Sequence, residues 1–196
     1  MTGRRRPSLY LVRHGETEWA RLGRHTGRTD VPLTAEGRAQ ARAIAGRLAG
    51  VRFARVVSSP LSRALDTALL AGYAEVVEIE PDLVEWDYGE YEGRTTPQIR
   101  RSVPGWTIWG RGPRGGETAA DVTTRVDRVL AGLDGANGAV ALFAHGHVLR
   151  VLTARWLGLP ASEGRLFALG TATVSVLGWE REARVVERWN EPPHPP

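Results

Sequence analysis

Six consecutive apolar residues, Ala139–Ala144, run without interruption into His145-Gly146-His147. A strand with one wet face alternates polar and apolar side chains, whereas an unbroken run suits a strand covered on both faces, as in a parallel sheet between helices. The rest of the chain supplies partners for such a sheet. Ser8–Arg13, Arg55–Ser58 and Val76–Ile79 read as further short strands, and Thr173–Gly178 with Arg184–Trp189 as a final pair. Helices alternate with them. Thr34 is a candidate N-cap for a helix through about Leu48, with Ala41, Ile44, Ala45 and Leu48 on one face. A second helix opens at Ser59-Pro60 and runs through about Ala71, its proline in the first turn, where the missing N–H has no partner to lose. Glu117–Leu133 repeats Val122, Val126, Val129 and Leu133 at helical spacing, and His147–Leu157 follows the apolar run. The alternation predicts an α/β fold: a three-layer α/β/α sandwich with a mainly parallel central sheet. Pro81–Gly116, rich in glycine, tryptophan and arginine and weakly periodic, reads as a small inserted cap on a single domain, residues 1–196. Pro192–Pro196 reads as a disordered tail and Arg4–Arg6 as a flexible basic terminus.

Composition removes several classes of function. The 196 residues include no cysteine, which excludes disulfide scaffolds, thiol nucleophiles and cysteine–zinc sites. Charged residues make up 24% and apolar ones 42%, as in a folded globular chain and unlike disordered or fibrous sequences. No apolar run approaches the roughly 18 residues that a membrane helix needs. Leu9–Val12 is too short for the core of a signal peptide. A soluble cytoplasmic protein with no membrane partner is expected. All 26 cationic residues are arginine, which reads as a coding bias. They are dispersed among 22 acidic residues for a net charge of +4, with a run only at Arg4–Arg6, so no nucleic-acid partner is expected.

In parallel α/β sheets ligands gather at the carboxyl ends of strands. Three polar groups fall there: Arg13-His14-Gly15, Ser58–Arg63 and His145-Gly146-His147. A lone histidine at a strand end is more often structural than catalytic; its company here argues for chemistry. A neutral imidazole can attack phosphorus to form a phosphohistidine, provided that cations hold the non-bridging oxygens. Arg13 adjoins His14. Arg63 falls in the first turn of the helix after Pro60, where N–H groups and the helix dipole also favour an anion. His145 adds a donor, and Gly146 lets the backbone approach. The planar fork of arginine suits phosphoryl oxygens. The leaving alkoxide needs a proton, and Glu85-Trp86-Asp87-Tyr88-Gly89-Glu90-Tyr91-Glu92 offers four carboxylates among aromatics. One of them, partly desolvated, would serve as a general acid. Spacing does not choose among the four, and an acidic loop on a basic protein also explains them. His145 and His147 lack a third ligand for zinc, so no metal is expected and His147 reads as structural. Trp106 and Trp109 fit pocket lining and cap core equally.

Leu11-Val12-Arg13-His14-Gly15-Glu16-Thr17-Glu18-Trp19 resembles the signature of the histidine phosphatase superfamily, the phosphoglycerate-mutase-like proteins. Thr26-Gly27, Asp30–Thr34, Ser58–Ala64 and Ala144–His147 match in the family's order, over roughly residues 8 to 155. Glu85–Gly93, Trp106–Trp109 and Gly115–Thr118 are similar to one branch, which contains a fungal sedoheptulose-1,7-bisphosphatase and a mycobacterial acid phosphatase. The resemblance implies His14 as the phosphorylated nucleophile and Glu85 as the proton donor. It implies that Arg13, Arg63 and His145 hold the phosphoryl group with the Gly146 backbone. Gly15, Thr17, His25, Thr26, Trp86, Asp87 and Tyr88 would line the phosphate and substrate pocket, and no metal or organic cofactor would take part. Ala20 departs from the many members that carry asparagine there, and Thr17 is a candidate to replace that contact. The chain also looks too short for the extra segment of the cofactor-dependent mutases.

The expectation is a metal-independent phosphomonoesterase acting on small phosphorylated metabolites, foremost sugar phosphates, through a phosphohistidine. Its rate optimum should lie on the acidic side of neutrality, because the proton donor must begin protonated. Two alternatives stay open: a phosphoglycerate mutase-type phosphoryl transfer, and a non-catalytic phosphate- or nucleic-acid-binding module on the same fold. The joint presence of His14, Glu85, Arg63 and His145 weighs against the module. Among Arg94, Arg100, Arg101, Arg111 and Arg114 in the cap, some would meet a second phosphate or a carboxylate if the substrate carries one, while most read as solvated. A homodimer stays open.

Overall fold

The computed structural model describes residues 6–193. Six strands form one sheet: β1 (Leu9–Arg13), β2 (Phe53–Ser58), β3 (Val77–Ile79), β4 (Ala139–Ala144), β5 (Val174–Glu180) and β6 (Ala183–Glu191), in the order β3-β2-β4-β1-β5-β6. β3, β2, β4 and β1 run parallel, and β5 and β6 are added antiparallel beside β1. β4 is central, and Val140 through Ala144 are wholly buried, which is why its sequence is unbroken.

The helices are α1 (Glu18–Arg21), α2 (Ala35–Leu48), α3 (Ser62–Ala68), α4 (Thr96–Ser102), α5 (Ala119–Leu133) and α6 (Gly146–Trp156). They cover both faces of the sheet. Leu142 shares one buried cluster with Val126 of α5, Leu149 of α6 and Trp106 of the cap region; Phe143 shares the other with Ile44 and Leu48 of α2 and Ala68 of α3. The fold is the three-layer, mainly parallel α/β sandwich expected from the sequence.

Local differences have identifiable causes. The buried stripe of α2 is Gly37, Ala41, Ile44 and Leu48, with Ala45 exposed. Gly37 joins the stripe because a Cβ there would stand 2.1 Å from the Glu16 carbonyl oxygen. Pro60 lies outside α3, which begins at Ser62; the Ser62 N–H donates to the Asp30 carboxylate at 3.0 Å. An acidic side chain therefore already occupies the helix start expected to favour a ligand anion. The inserted region contains α4, which its short, arginine-rich sequence concealed, although Thr95 and Gln98 form a capping box there. Trp86, Tyr88, Ile99 and Trp106 of this region are buried in the same cluster as the sheet residues. The cap is thus continuous with the main core. Trp106 belongs to it, its indole N–H donating to the Gly112 carbonyl.

Arg4 and Arg5 of the basic run, and residues 194–196 of the tail, lie outside the described residues. Arg6 sits 4.6 Å over the Trp179 ring, and the Pro192 carbonyl accepts from Arg47 Nε at 2.8 Å. No helix among the described residues is long and apolar enough to cross a membrane.

Candidate active site

β1 and β4 are parallel neighbours, with Arg13 opposite Ala144, so His14 and His145 leave the sheet side by side. The His14 N–H donates to the Ala144 carbonyl at 3.0 Å, and the His14 carbonyl accepts from the Ala172 N–H at 2.9 Å. His14 Nδ1 lies 2.7 Å from the Gly15 carbonyl oxygen. A carbonyl only accepts, so Nδ1 carries the hydrogen and the neutral ring keeps its lone pair on Nε2. Burial, then the charges of Arg13 and Arg63, hold His14 well below the usual histidine pKa. The ring is neutral at pH 7.

Two further groups frame this nitrogen. Arg13 donates to the Leu169 carbonyl, while its buried Nε has no hydrogen-bond partner. Gly146 opens α6, and an N–H at the first helical position has no acceptor within the helix. A Cβ on Gly146 would stand 3.3 Å from Arg13 Cζ, so glycine lets the helix end approach the guanidinium. Gly15 is needed for a similar reason: a Cβ there would lie 2.3 Å from the Gly37 carbonyl oxygen.

Glu85 forms the opposite wall. Its Oε1 accepts from the N–H groups of Trp86 and Val148, and its Oε2 from that of His147, all at 2.9 Å. The carboxyl group is therefore seated on the amino end of α6, with Oε2 the less engaged oxygen. A buried ion pair holds the segment that carries it. Arg125 pairs with Glu117 at 2.9 Å and donates to the carbonyls of Asp82 and Val84. Glu117 in turn accepts from the Asp87 N–H through its carboxylate and from the Trp86 indole through its carbonyl.

The cleft between floor and wall has a volume of about 100 Å3. It is lined by Arg13, His14, His25, Thr26, Glu85, Tyr88 and Gly146 from the expected set, together with Ala20, Arg24, His147, Arg150 and Leu169. The Tyr88 hydroxyl lies 2.6 Å from His147 Nδ1. Burial, and then the nearby Glu85, raise the phenol pKa well above its ordinary value. Burial, and then Arg150, hold His147 well below its own. Tyrosine therefore donates to Nδ1, and His147 is a neutral ring with its hydrogen on Nε2. Burial likewise pushes His25 down to about 4.

The sequence of residues 9–192 matches the family described as "Histidine phosphatase superfamily (branch 1)". The chain belongs to the histidine phosphatase superfamily. It is 47% identical to a protein named "Acid phosphatase" from Mycobacterium tuberculosis, over 93% of this chain and 91% of that one. It is 34% identical to "Sedoheptulose 1,7-bisphosphatase" of Saccharomyces cerevisiae, over 78% and 68%. It is 33% identical to "Probable phosphoglycerate mutase GpmB" of an Enterobacter species, over 92% and 89%. The solved structure of a Mycobacterium tuberculosis open reading frame superposes with a TM-score of 0.90 at 44% identity, covering 97% of this chain and 100% of that one.

Within this histidine phosphatase, six residues of the expected site stand behind the cleft. Arg63 is fully buried; it donates through Nε to His145 Nδ1 at 3.1 Å and through its other nitrogens to the carbonyls of Thr26, Gly27 and Thr29. His145 then carries its hydrogen on Nε2, which donates to Ser59 Oγ at 2.8 Å. Both ring nitrogens of His145 and all three guanidinium nitrogens of Arg63 are engaged by protein groups; the His145 ring lies 5.2 Å from that of His14, and Arg63 ties down the 26–29 loop. Thr17 Oγ1 is buried and accepts from the Ala20 N–H as the N-cap of α1, so it does not replace the polar contact missing at Ala20, which itself lines the cleft. Gly15, Trp86 and Asp87 tie the backbone. Their residue types suited the site, but their side chains or close approaches serve the turns that support it.

Besides Ala20, four lining residues were outside the expected set. His147 was read as structural; its ring faces Tyr88 and the cleft, while that of His145 faces Arg63. Arg150 lies one helical turn further along α6, its guanidinium 4.6 Å over the Trp109 ring; the i, i+3 spacing from His147 was the available signal. Arg24 adjoins His25, and nothing marked it out among so many arginines. Leu169 comes from an irregular segment with no pattern to read. Among the described residues no group of three or more His, Asp or Glu side chains could hold a metal ion.

Proposed function

We propose that this histidine phosphatase hydrolyses small phosphomonoesters, sugar phosphates foremost, by a metal-independent route through a phosphohistidine on His14. The observation that carries the reading is the His14 ring itself. Its Nδ1–H is committed to the Gly15 carbonyl, its pKa is depressed, and its Nε2 lone pair faces a cleft beside the unpartnered Arg13 Nε. Arg13 and the Gly146 N–H would hold the non-bridging oxygens of the phosphoryl group.

His14 Nε2 attacks phosphorus, forming the N–P bond as the ester P–O bond breaks. Glu85 gives its proton to the departing oxygen and becomes a carboxylate. Of the four carboxylates in its segment, it alone lines the cleft. Water then attacks phosphorus, passing a proton to Glu85; the N–P bond breaks, its electron pair returns to Nε2, and inorganic phosphate leaves. The names of the acid phosphatase and bisphosphatase relatives support hydrolysis and a sugar-phosphate class. A small phosphorylated metabolite is the partner we propose, and the cytoplasm the location.

The test is phosphate release, with EDTA present, from sugar bisphosphates, sugar monophosphates, 3-phosphoglycerate and an aryl phosphate, with His14→Ala beside the wild type. Wild-type release should exceed that of the variant by about 10^4-fold or more. Conversion of 3-phosphoglycerate to 2-phosphoglycerate without free phosphate would replace hydrolysis by mutase chemistry. Equal rates in the two proteins would remove His14 from its role.

A further inference from the structure

A single amide orients the His14 ring. The Gly15 carbonyl accepts from His14 Nδ1 at 2.7 Å, and the N–H of the same planar unit, that of Glu16, donates to Gln40 Oε1 at 3.0 Å. Among the described residues these are the two hydrogen bonds that this amide makes. The Gln40 side chain can face only one way. Its Nε2 donates to the Glu36 carboxylate at 3.2 Å, and a carboxylate only accepts, so Oε1 is the atom turned to Glu16.

Other contacts hold the flanking groups and leave this amide to Gln40. Thr67 Oγ1 accepts from the Gly15 N–H at 3.1 Å, and the Thr34 N–H donates to the Glu16 carbonyl at 3.0 Å. Two glycines bring α2 close. A Cβ on Gly15 would lie 2.3 Å from the Gly37 carbonyl oxygen, and one on Gly37 would lie 2.1 Å from that of Glu16. Gln40, in the second turn of α2, is half-buried and stands outside the buried stripe Gly37, Ala41, Ile44 and Leu48. Core packing therefore gives no reason for a glutamine there.

We propose that Gln40 is a positioning residue for the nucleophile, acting on His14 through the Gly15–Glu16 amide. The kinetic part of the inference rests on the phosphatase reading of the cleft. An amide whose N–H is accepted is the stronger acceptor at its carbonyl. As the N–P bond forms, positive charge develops on the imidazole and its Nδ1–H bond to Gly15 strengthens. The Gln40 contact thus contributes more to the transition state than to substrate binding. Without it the amide plane is released, and the hydrogen is free to move to Nε2, where it would occupy the lone pair that attacks.

The experiment compares wild type with Gln40→Met, which keeps the length and helix preference but has no acceptor, and with Gln40→Glu combined with Glu36→Gln. The pair of changes exchanges the two groups and preserves both hydrogen bonds. Phosphate release from an aryl phosphate gives kcat and KM, and nitrogen chemical shifts of His14 in the free protein give its tautomer. In Gln40→Met, kcat should fall about tenfold with KM within about twofold. His14 should change from the Nδ1–H form to a mixture, and the exchanged pair should restore both readouts. Unchanged kcat, a lower kcat with wild-type His14 shifts, or no recovery in the exchanged pair would each overturn the role. If Gln40→Met fails to fold, which its melting curve shows, Gln40→Lys, with a donor where an acceptor is needed, takes its place under the same outcomes. If the wild type releases no phosphate, the phosphatase reading fails and the shifts alone decide: a mixture of tautomers in the variant sustains the positioning role, and an unchanged Nδ1–H form overturns it.

Discussion

His14 and Glu85 face the same cleft, yet the sheet holds one and side chains hold the other. On the His14 side the hydrogen bonds to the residue itself come from backbone: β4 and the Ala172 segment grip the His14 peptide, the Gly15 carbonyl orients the ring, and Gly146 presents a helix end. On the Glu85 side the chain is irregular, and its carbonyls and N–H groups are gathered by Arg125 and Glu117, thirty or more residues away in sequence. Backbone support follows from topology and tolerates most side-chain change. A side-chain clamp can be removed by one substitution.

That contrast predicts the largest effect. Arg125 is buried with its charge paired and two backbone carbonyls resting on it. Replacing it by methionine removes the donors to both carbonyls and leaves the half-buried Glu117 with only Arg28, at 3.8 Å, a loss that approaches the about 3–5 kcal/mol of breaking a wholly buried pair. Urea unfolding should show that loss. In the fraction that stays folded, kcat should fall more than KM rises, because the carboxyl group is displaced while the His14 side stands. A stable Arg125→Met protein with unchanged kcat would show that the Glu85 segment holds itself.

The same division decides what was readable from the chain. β4 announced its burial through six apolar residues, and α5 through Val122, Val126, Val129 and Leu133, because periodicity records which face meets the core. Arg125 lies on that buried face beside Val126 and reads as an ordinary interruption; only its partners 82–84 and 117 explain it, and they are remote. His14 and Glu85 came into view through residue type and resemblance. Their geometry then separated them from neighbours that shared the same motifs. Arg63 and His145 were placed correctly near the strand ends, but sequence does not reveal that they bond to each other and to the 26–29 loop. His147 was hidden for the opposite reason, since a side chain at the start of a buried helix is normally core. The helix α4 was missed because one buried residue, Ile99, gives no periodic signal.

Histidines occur on both sides of the cleft, and acid should strain both. His14, His145 and His147 are held well below their ordinary range, chiefly by burial, and His25 is pushed to about 4. Between about pH 6.5 and the lower folded value the unfolded chain binds more protons than the folded one, so stability rises with pH and is lost as pH falls through that window. His25 alone should account for about 3 kcal/mol between pH 6.5 and 4. Unfolding midpoints in urea from pH 7 to 4 should therefore fall steeply in the wild type and less steeply in His25→Gln. Parallel slopes would mean that His25 is solvated or already paired. As the pH falls from 7, the depressed pKa of His14 keeps the lone pair of the nucleophile free, so activity should hold below pH 7 until the fold itself is lost.

The smallest effect should come from a side-chain contact that orients a ring within the cleft. Tyr88→Phe removes the hydroxyl that donates to His147 Nδ1 and leaves the ring packing in place. One neutral hydrogen bond is worth about 1 kcal/mol, so kcat/KM should fall by roughly tenfold or less, with little change in stability. Nitrogen chemical shifts of His147 report the tautomer directly: the wild type should show the hydrogen on Nε2, and the variant a mixture. If the variant keeps the Nε2–H form and full activity, Tyr88 fills space in the wall without directing His147. In that case the only side-chain device on the Glu85 side that matters to chemistry is the Arg125–Glu117 pair.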